Sequence, residues 1–219
     1  MERDIHLDTV GGLLIVYMII GHVDQWADSG STIVIPTMDM VLFFFMSWFF
    51  FKAGMFYRDK SDVLKKSMKR LLYPFFLWTA IGFAFHAVTA LYHGDYSLIH
   101  YTLTPIKQLF LFGAVVGNLP LWFLSSLFII RISYHYLQRS ISSVAIASLT
   151  FALSALMITI RNSTGILLPD YFYSIPMGLF FFSAGKVLQV RQYNKSVITV
   201  AALLFLSHFC PPPPFYGRI

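Results

Sequence analysis

Residues 141–160 read ISSVAIASLTFALSALMITI, twenty positions without a single charge. A helix needs about 20 largely apolar residues to cross a hydrocarbon core roughly 30 Å thick. Working outward, similar stretches lie at 9–26, 33–57, 71–92, 119–136, 172–188 and 197–209, which makes seven. A shorter apolar piece at 109–116 is too brief to cross and reads as re-entrant or interfacial. The 219 residues are 57% hydrophobic and only 12% charged, against roughly a quarter charged in an ordinary soluble domain. That excludes a soluble enzyme. The expected fold is all-α, a polytopic transmembrane bundle of about seven spans forming a single domain over 1–219, with no flexible linker and any site built between helices. The first span carries Gly11, Gly12 and Gly21, a composition suited to a helix packed inside the bundle, because glycine permits close approach.

Charge fixes the expected orientation. Arg58, Lys60, Lys65, Lys66, Lys69 and Arg70 follow the second span, Arg131 and Arg139 the fourth, and Lys186, Arg191 and Lys195 the sixth. The alternate loops offer Lys107 and Arg161 beside Asp24, Asp28, Asp95 and Asp170. The basic loops and the N-terminus are therefore expected in the cytoplasm. The net charge of +6 is absorbed by topology, and no nucleic-acid motif remains. Residues 1–8 hold Glu2, Asp4 and Asp8 against Arg3, the wrong balance for a cleaved signal. The one cysteine, Cys210, forms no internal disulfide and no cysteine metal cluster, and no resident metal is expected.

Ionisable groups at lipid depth are costly and mark candidate sites. His22 stands near the outer end of the first span, followed by Asp24 and Asp28; it is either a base for a hydroxyl near neutral pH or a satisfied interfacial histidine. Asp39, ahead of Phe43, Phe44 and Phe45, either lines an outward cavity that meets substrate or starts the second helix beyond the bilayer core. Lys52 follows Phe49 to Phe51 and is placed to snorkel toward lipid phosphate. His86 suits a helix-packing hydrogen bond. Lys65, Lys66, Lys69 and Arg70 fall on adjoining sides of a helical extension before Leu71, where they either anchor the chain to anionic lipid or hold a phosphorylated cofactor.

Four segments, in order, resemble the membrane-bound acyltransferase 3 family and its sugar O-acetylase branch. Leu7-Asp8-Thr9-Val10-Gly11-Gly12, running on to Gly21-His22, looks like the first-helix motif. Met46-Ser47-Trp48-Phe49-Phe50-Phe51-Lys52-Ala53-Gly54 resembles the second-helix segment, and Lys69-Arg70-Leu71-Leu72-Tyr73-Pro74-Phe75 the basic stretch entering a proline-bearing third helix. Leu119-Pro120-Leu121-Trp122-Phe123-Leu124 is similar to the family's Leu-Trp-Phe-Leu signature.

The resemblance implies an integral protein of a bacterial-type inner membrane that moves an acyl group, usually acetyl, from acyl-CoA as cosubstrate to a hydroxyl of an envelope carbohydrate or lipid-linked glycan. It assigns His22 as general base, Lys69 and Arg70 with neighbouring Lys66 to the cofactor phosphates, and Trp122 to an acyl chain or sugar face. His22 lies eleven residues after Gly11, about 16 Å and three turns along a helix, so an elongated cofactor fits between them. The family commonly has a basic residue where Gly11 stands; Ser47 and Ala53 depart from its second-helix pattern as well. Family members carry more than seven helices, and the proline run Pro211 to Pro214 ends the seventh span, so the resemblance implies that the last helices are missing. Two other readings compete: a noncatalytic transporter or scaffold of glycan export, and an inactive truncated relative.

Overall fold

The computed structural model describes residues 5–27, 45–59, 62–92, 107, 121–165, 169 and 171–190, with backbone alone at 5–7, 21–27, 45, 86, 90 and 190. Its elements are helices: α1 Ile5–Ala27, α2 Phe45–Met55, α3 Val63–Ser67, a π-helical turn Met68–Leu72, α4 Tyr73–Tyr92, α5 Trp122–Leu137, α6 Ser143–Thr164 and α7 Tyr171–Val190. No strand occurs among the described residues. Among the described residues, two helical stretches are long and apolar enough to cross a membrane, Val63–Thr89 and Ser143–Thr164. The expected spans at 9–26, 71–92 and 172–188 fall on helices, 119–136 does so from Trp122 onward, and 33–57 over Phe45–Met55. The expected span 197–209 and the short segment 109–116 lie outside the described residues.

Local chemistry sets the ends of α6. The Ser142 hydroxyl accepts from the Ala145 amide at 3.2 Å, satisfying one orphan donor of the first turn. Gly165 closes the helix at φ 65°, the left-handed conformation that glycine adopts without a steric cost. The turn between α5 and α6 is short, and Tyr134 Oη and Ser143 Oγ meet at 2.6 Å across it; beyond the turn α6 packs along α7.

The basic segment is helical, as expected, but not uniformly so. Pro74 has no amide hydrogen, and its ring crowds the carbonyl four residues back, at Arg70. The chain widens over Met68–Leu72, where the Tyr73 amide reaches back five residues to the Met68 carbonyl. This π turn carries Lys69 and Arg70 and rotates both away from the positions that an unbroken α-helix would give them.

Glycine decides how α2 and α7 pack. A Cβ at Gly54 would overlap the Phe182 carbonyl, and one at Gly185 would overlap the Phe51 carbonyl. Each backbone thus lies in the notch left by the other's missing side chain. Phe50 and Ile130 both touch Gly178, Gly54 meets Phe182, and the Tyr134 ring lies 5.0 Å from that of Phe182. Positions advance together on all three helices, so α2, α5 and α7 run parallel. Phe50, Tyr57, Ile130, Tyr134, Ile146 and Phe182 form the buried core between them and α6.

Where a helix packed inside the bundle was expected, α1 is packed on one side. It buries one narrow stripe, Gly11, Leu14 and Tyr17, and exposes Leu13, Val16 and Ile19. Only one of its first two glycines serves a contact, because a Cβ at Gly12 would meet nothing within 4 Å. The outward faces of α1 and α4 are apolar, with Phe76, Trp78, Phe85 and Val88 exposed on α4, as a lipid-facing helix requires.

Gly54→Ala and Gly185→Ala are each expected to cost about 3 kcal/mol or more, since a rigid backbone has to move aside. Gly12→Ala is expected to be neutral or slightly stabilising. Thermal unfolding of the three variants in detergent checks the contrast.

Candidate functional site

The first polar constellation joins α1 to α2. Lys52 Nζ lies 3.0 Å from Asp8 Oδ1 and 3.2 Å from the place a Cβ on Gly11 would take. The snorkelling orientation expected for Lys52 is therefore corrected: its side chain turns inward, 22% exposed, because a carboxylate one turn before Gly11 draws it there. A charge-assisted hydrogen bond of this kind contributes about 1.5–3 kcal/mol. It brings a cation to the level of Gly11 on a helix that has none of its own there.

The second constellation gathers at the C-terminal ends of the parallel helices. Tyr57 is 1% exposed, and its ring packs against Tyr134 and Phe182 at 5.2 and 5.5 Å. The Arg131 guanidinium and the Lys186 ammonium each lie 5.8 Å from the centre of that ring, a cation–π arrangement. Lys186 Nζ also donates to the Tyr57 carbonyl at 3.0 Å and to Gln189 Oε1 at 2.9 Å. It thereby satisfies a carbonyl just beyond the end of α2.

His135, also buried, links this cluster to the loop after α2. Its Nδ1 is 3.1 Å from Asp59 Oδ1 and 3.0 Å from Tyr57 Oη, and its Nε2 is 3.0 Å from an Arg139 nitrogen. A guanidinium only donates, so Nε2 accepts and Nδ1 carries the proton toward Asp59 and Tyr57. Gln138 Nε2 donates to the same Tyr57 oxygen at 3.1 Å. The basic nitrogen of His135 is thus occupied, and the ring acts as a clamp rather than as a free base. Arg70 of the π turn is near enough to Arg131 for the two charges to repel, and Arg58 stands in the same relation to Lys186. Lys186 is near enough to Asp59 to be attracted by it, and with Arg70 beside Arg131 this end of the bundle gathers cations able to hold a multiply charged anion.

Of the residues singled out from sequence, Lys69 and Arg70 are exposed on the π turn, and Lys66 is exposed one turn earlier with Asp62 3.7 Å away. Trp122 begins α5, half-buried against the core, about two and a half turns before Arg131. His22 falls within α1, and its side chain, like that of His86 in α4, is not among those described; Asp39 lies outside the described residues. The structure therefore joins Arg70 to Arg131 and keeps Trp122 apart from both. Sequence reasoning missed the Tyr57 cluster. Arg131, Arg139 and Lys186 entered only as topological charges, and their partners lie far away in the chain. Among the described residues no group of histidine, cysteine or acidic side chains could hold a metal ion.

Residues 4–217 match the family model described as an acyltransferase domain, that of the acyltransferase 3 family. The chain belongs to this family and is an acyltransferase. Members are membrane proteins, with which the two long apolar helices agree. No curated protein and no solved structure matches the chain.

Tyr57→Phe removes the oxygen shared by His135 and Gln138 and leaves the ring in place. The expected loss is about 1–2 kcal/mol, read as a lower unfolding temperature in detergent with unchanged helical circular dichroism.

Proposed function

We propose that the protein is an O-acyltransferase of the inner membrane that carries an acyl group, acetyl by preference, from acyl-CoA to a hydroxyl of an envelope carbohydrate or lipid-linked glycan. Lys52 carries this reading. The family's first-helix motif commonly has a basic residue at the position of Gly11, and here α2 delivers an ammonium group to that place. The departure at Gly11 is offset by a cation from the neighbouring helix.

In this reading the basic end of the bundle faces the cytoplasm, and Lys66, Lys69 and Arg70, with Arg131 behind them, hold the diphosphate of the cofactor. The pantetheine arm runs along α1, which is one continuous helix from Ile5 to Ala27. His22, three turns beyond Gly11, takes the proton from the acceptor hydroxyl as its oxygen attacks the thioester carbonyl. The C–O bond forms, the C–S bond breaks, and the thiolate of CoA leaves and takes up a proton. Asp39 and Trp122 contact the acceptor.

Acetyl transfer to isolated glycans by protein in nanodiscs tests the assignment. His22→Gln is expected to lower turnover about 10²-fold or more with normal accumulation in the membrane; turnover at the parental level overturns the role of His22. Lys52→Met is expected to raise the KM for acetyl-CoA about tenfold, the value of one charge-assisted bond. Adding Gly11→Lys to that variant is expected to lower it again. Acetyl-CoA is expected to raise the unfolding temperature by mass action; no shift at saturating ligand overturns the acyl-CoA reading in favour of a transporter or scaffold.

A further inference from the structure

The seam between α5 and α7 holds a regular ladder. Tyr134 faces Phe182, and four residues earlier Ile130 faces Gly178. Both rungs join positions 48 apart in number, and the same step back by one turn puts Ser126 level with Ser174. Ser126 is 0% exposed. The hydroxyls of Ser126 and Ser174 are both buried and have no hydrogen-bond partner.

That is unusual within this bundle. Thr150, Ser154 and Ser183 return their hydroxyls to the carbonyl four residues back, at 2.7, 2.8 and 2.7 Å, the usual solution for a hydroxyl inside a helix. Ser67 and Thr79 also lack partners, but they belong to the α3–α4 segment and not to this seam. Two orphaned hydroxyls at one level of neighbouring helices carry a substantial desolvation cost, which a ligand able both to donate and to accept would relieve.

The surroundings narrow the chemistry. Ser125 donates to the Trp122 carbonyl at 2.8 Å and meets Tyr171 Oη at 3.0 Å, so the tyrosine donates to it and keeps its own lone pairs. Trp122 and Tyr171 stand one turn beyond Ser126 and Ser174 and continue the seam toward the N-terminal ends of α5 and α7. The charged groups of these two helices, Arg131 and Lys186, are directed to Tyr57 instead. What remains at the seam is neutral hydroxyls beside aromatic faces. No carboxylate that could hold a metal ion stands on α5 or α7, and the Arg161 guanidinium toward this end is stacked on the Tyr173 ring at 5.2 Å, whereas a sugar offers hydroxyls to the serines and an apolar ring face to the aromatics.

We propose that Ser126 and Ser174, flanked by Trp122 and the Ser125–Tyr171 pair, form the subsite that takes a hydroxyl-bearing carbohydrate of the acceptor. This deepens the acyl-transfer reading and rests on it for the word acceptor, though not for the binding itself.

The probe is n-octyl β-D-glucopyranoside below its micellar concentration, added to the full chain in nanodiscs. The parent protein is expected to be stabilised by it in a saturable way, and Ser126→Ala/Ser174→Ala is expected to weaken the apparent affinity roughly tenfold. Without ligand, the double variant is expected to unfold at the same temperature as the parent or higher, because it loses two unsatisfied groups. Absence of glucoside binding by the parent, or equal binding by both, overturns the proposal; so does a lower ligand-free unfolding temperature with unchanged binding, the mark of a structural water. In the transfer assay the double variant is expected to raise the KM for the glycan and leave that for acetyl-CoA alone. A rise in the acetyl-CoA KM instead assigns the serines to the acyl carbonyl and overturns the proposal. Glucoside binding without acetyl transfer to any glycan removes the acyl-transfer reading and keeps the subsite. Transfer with an unaltered glycan KM removes the subsite and keeps the enzyme.

Discussion

The mutual seating of Gly54 and Gly185 governs the rest of the bundle. Neither helix can slide along the other without driving a side chain into a carbonyl, so the contact fixes register as well as distance. From that register follow the meeting of Phe50 with Gly178 and the edge-to-face packing of Tyr57 against Phe182. The reach of Lys186 back to the Tyr57 carbonyl follows too. In a lipid environment there is little hydrophobic force between helices, and close backbone packing carries much of the association. The core aromatics are large, but without the glycine notch they would have no common level at which to meet.

Legibility from sequence follows the range of the interactions. The helix at Ser143–Thr164 was plain because an uncharged run of bilayer length has few other uses. The helical nature of the basic segment was also legible, while its π turn was not, since the effect of Pro74 on the preceding turn depends on how the chain resolves a local clash. Lys52 was misjudged for a different reason. Its immediate neighbours are apolar and suggest an escape toward lipid headgroups, but the carboxylate that holds it lies 44 positions earlier. Tyr57 and His135 are 78 positions apart, and nothing in either local sequence announces the pairing.

The candidate site shows the same division. Lys69 and Arg70 were legible as a basic cluster, the family pattern added Trp122, and the structure adds what both omit: Arg131 beside Arg70, and Ser126 and Ser174 one turn along from Trp122 and Tyr171. Serines inside a helix read as filler, and only the missing back-bond separates these two from Ser154 and Ser183. On the proposed reading, the charged and the neutral recognition surfaces occupy opposite ends of α5, so one rigid helix separates the phosphates from the sugar.

The shared direction of α2, α5 and α7 has an electrostatic result. Peptide dipoles add along each helix, and the three negative ends come out on one side of the bundle. Arg131, Arg139 and Lys186 collect at that side, and Asp59, beside His135 and Lys186, is a formal counter-charge there. The backbone itself therefore balances part of their repulsion, and the guanidinium groups stay assembled when no anion is bound.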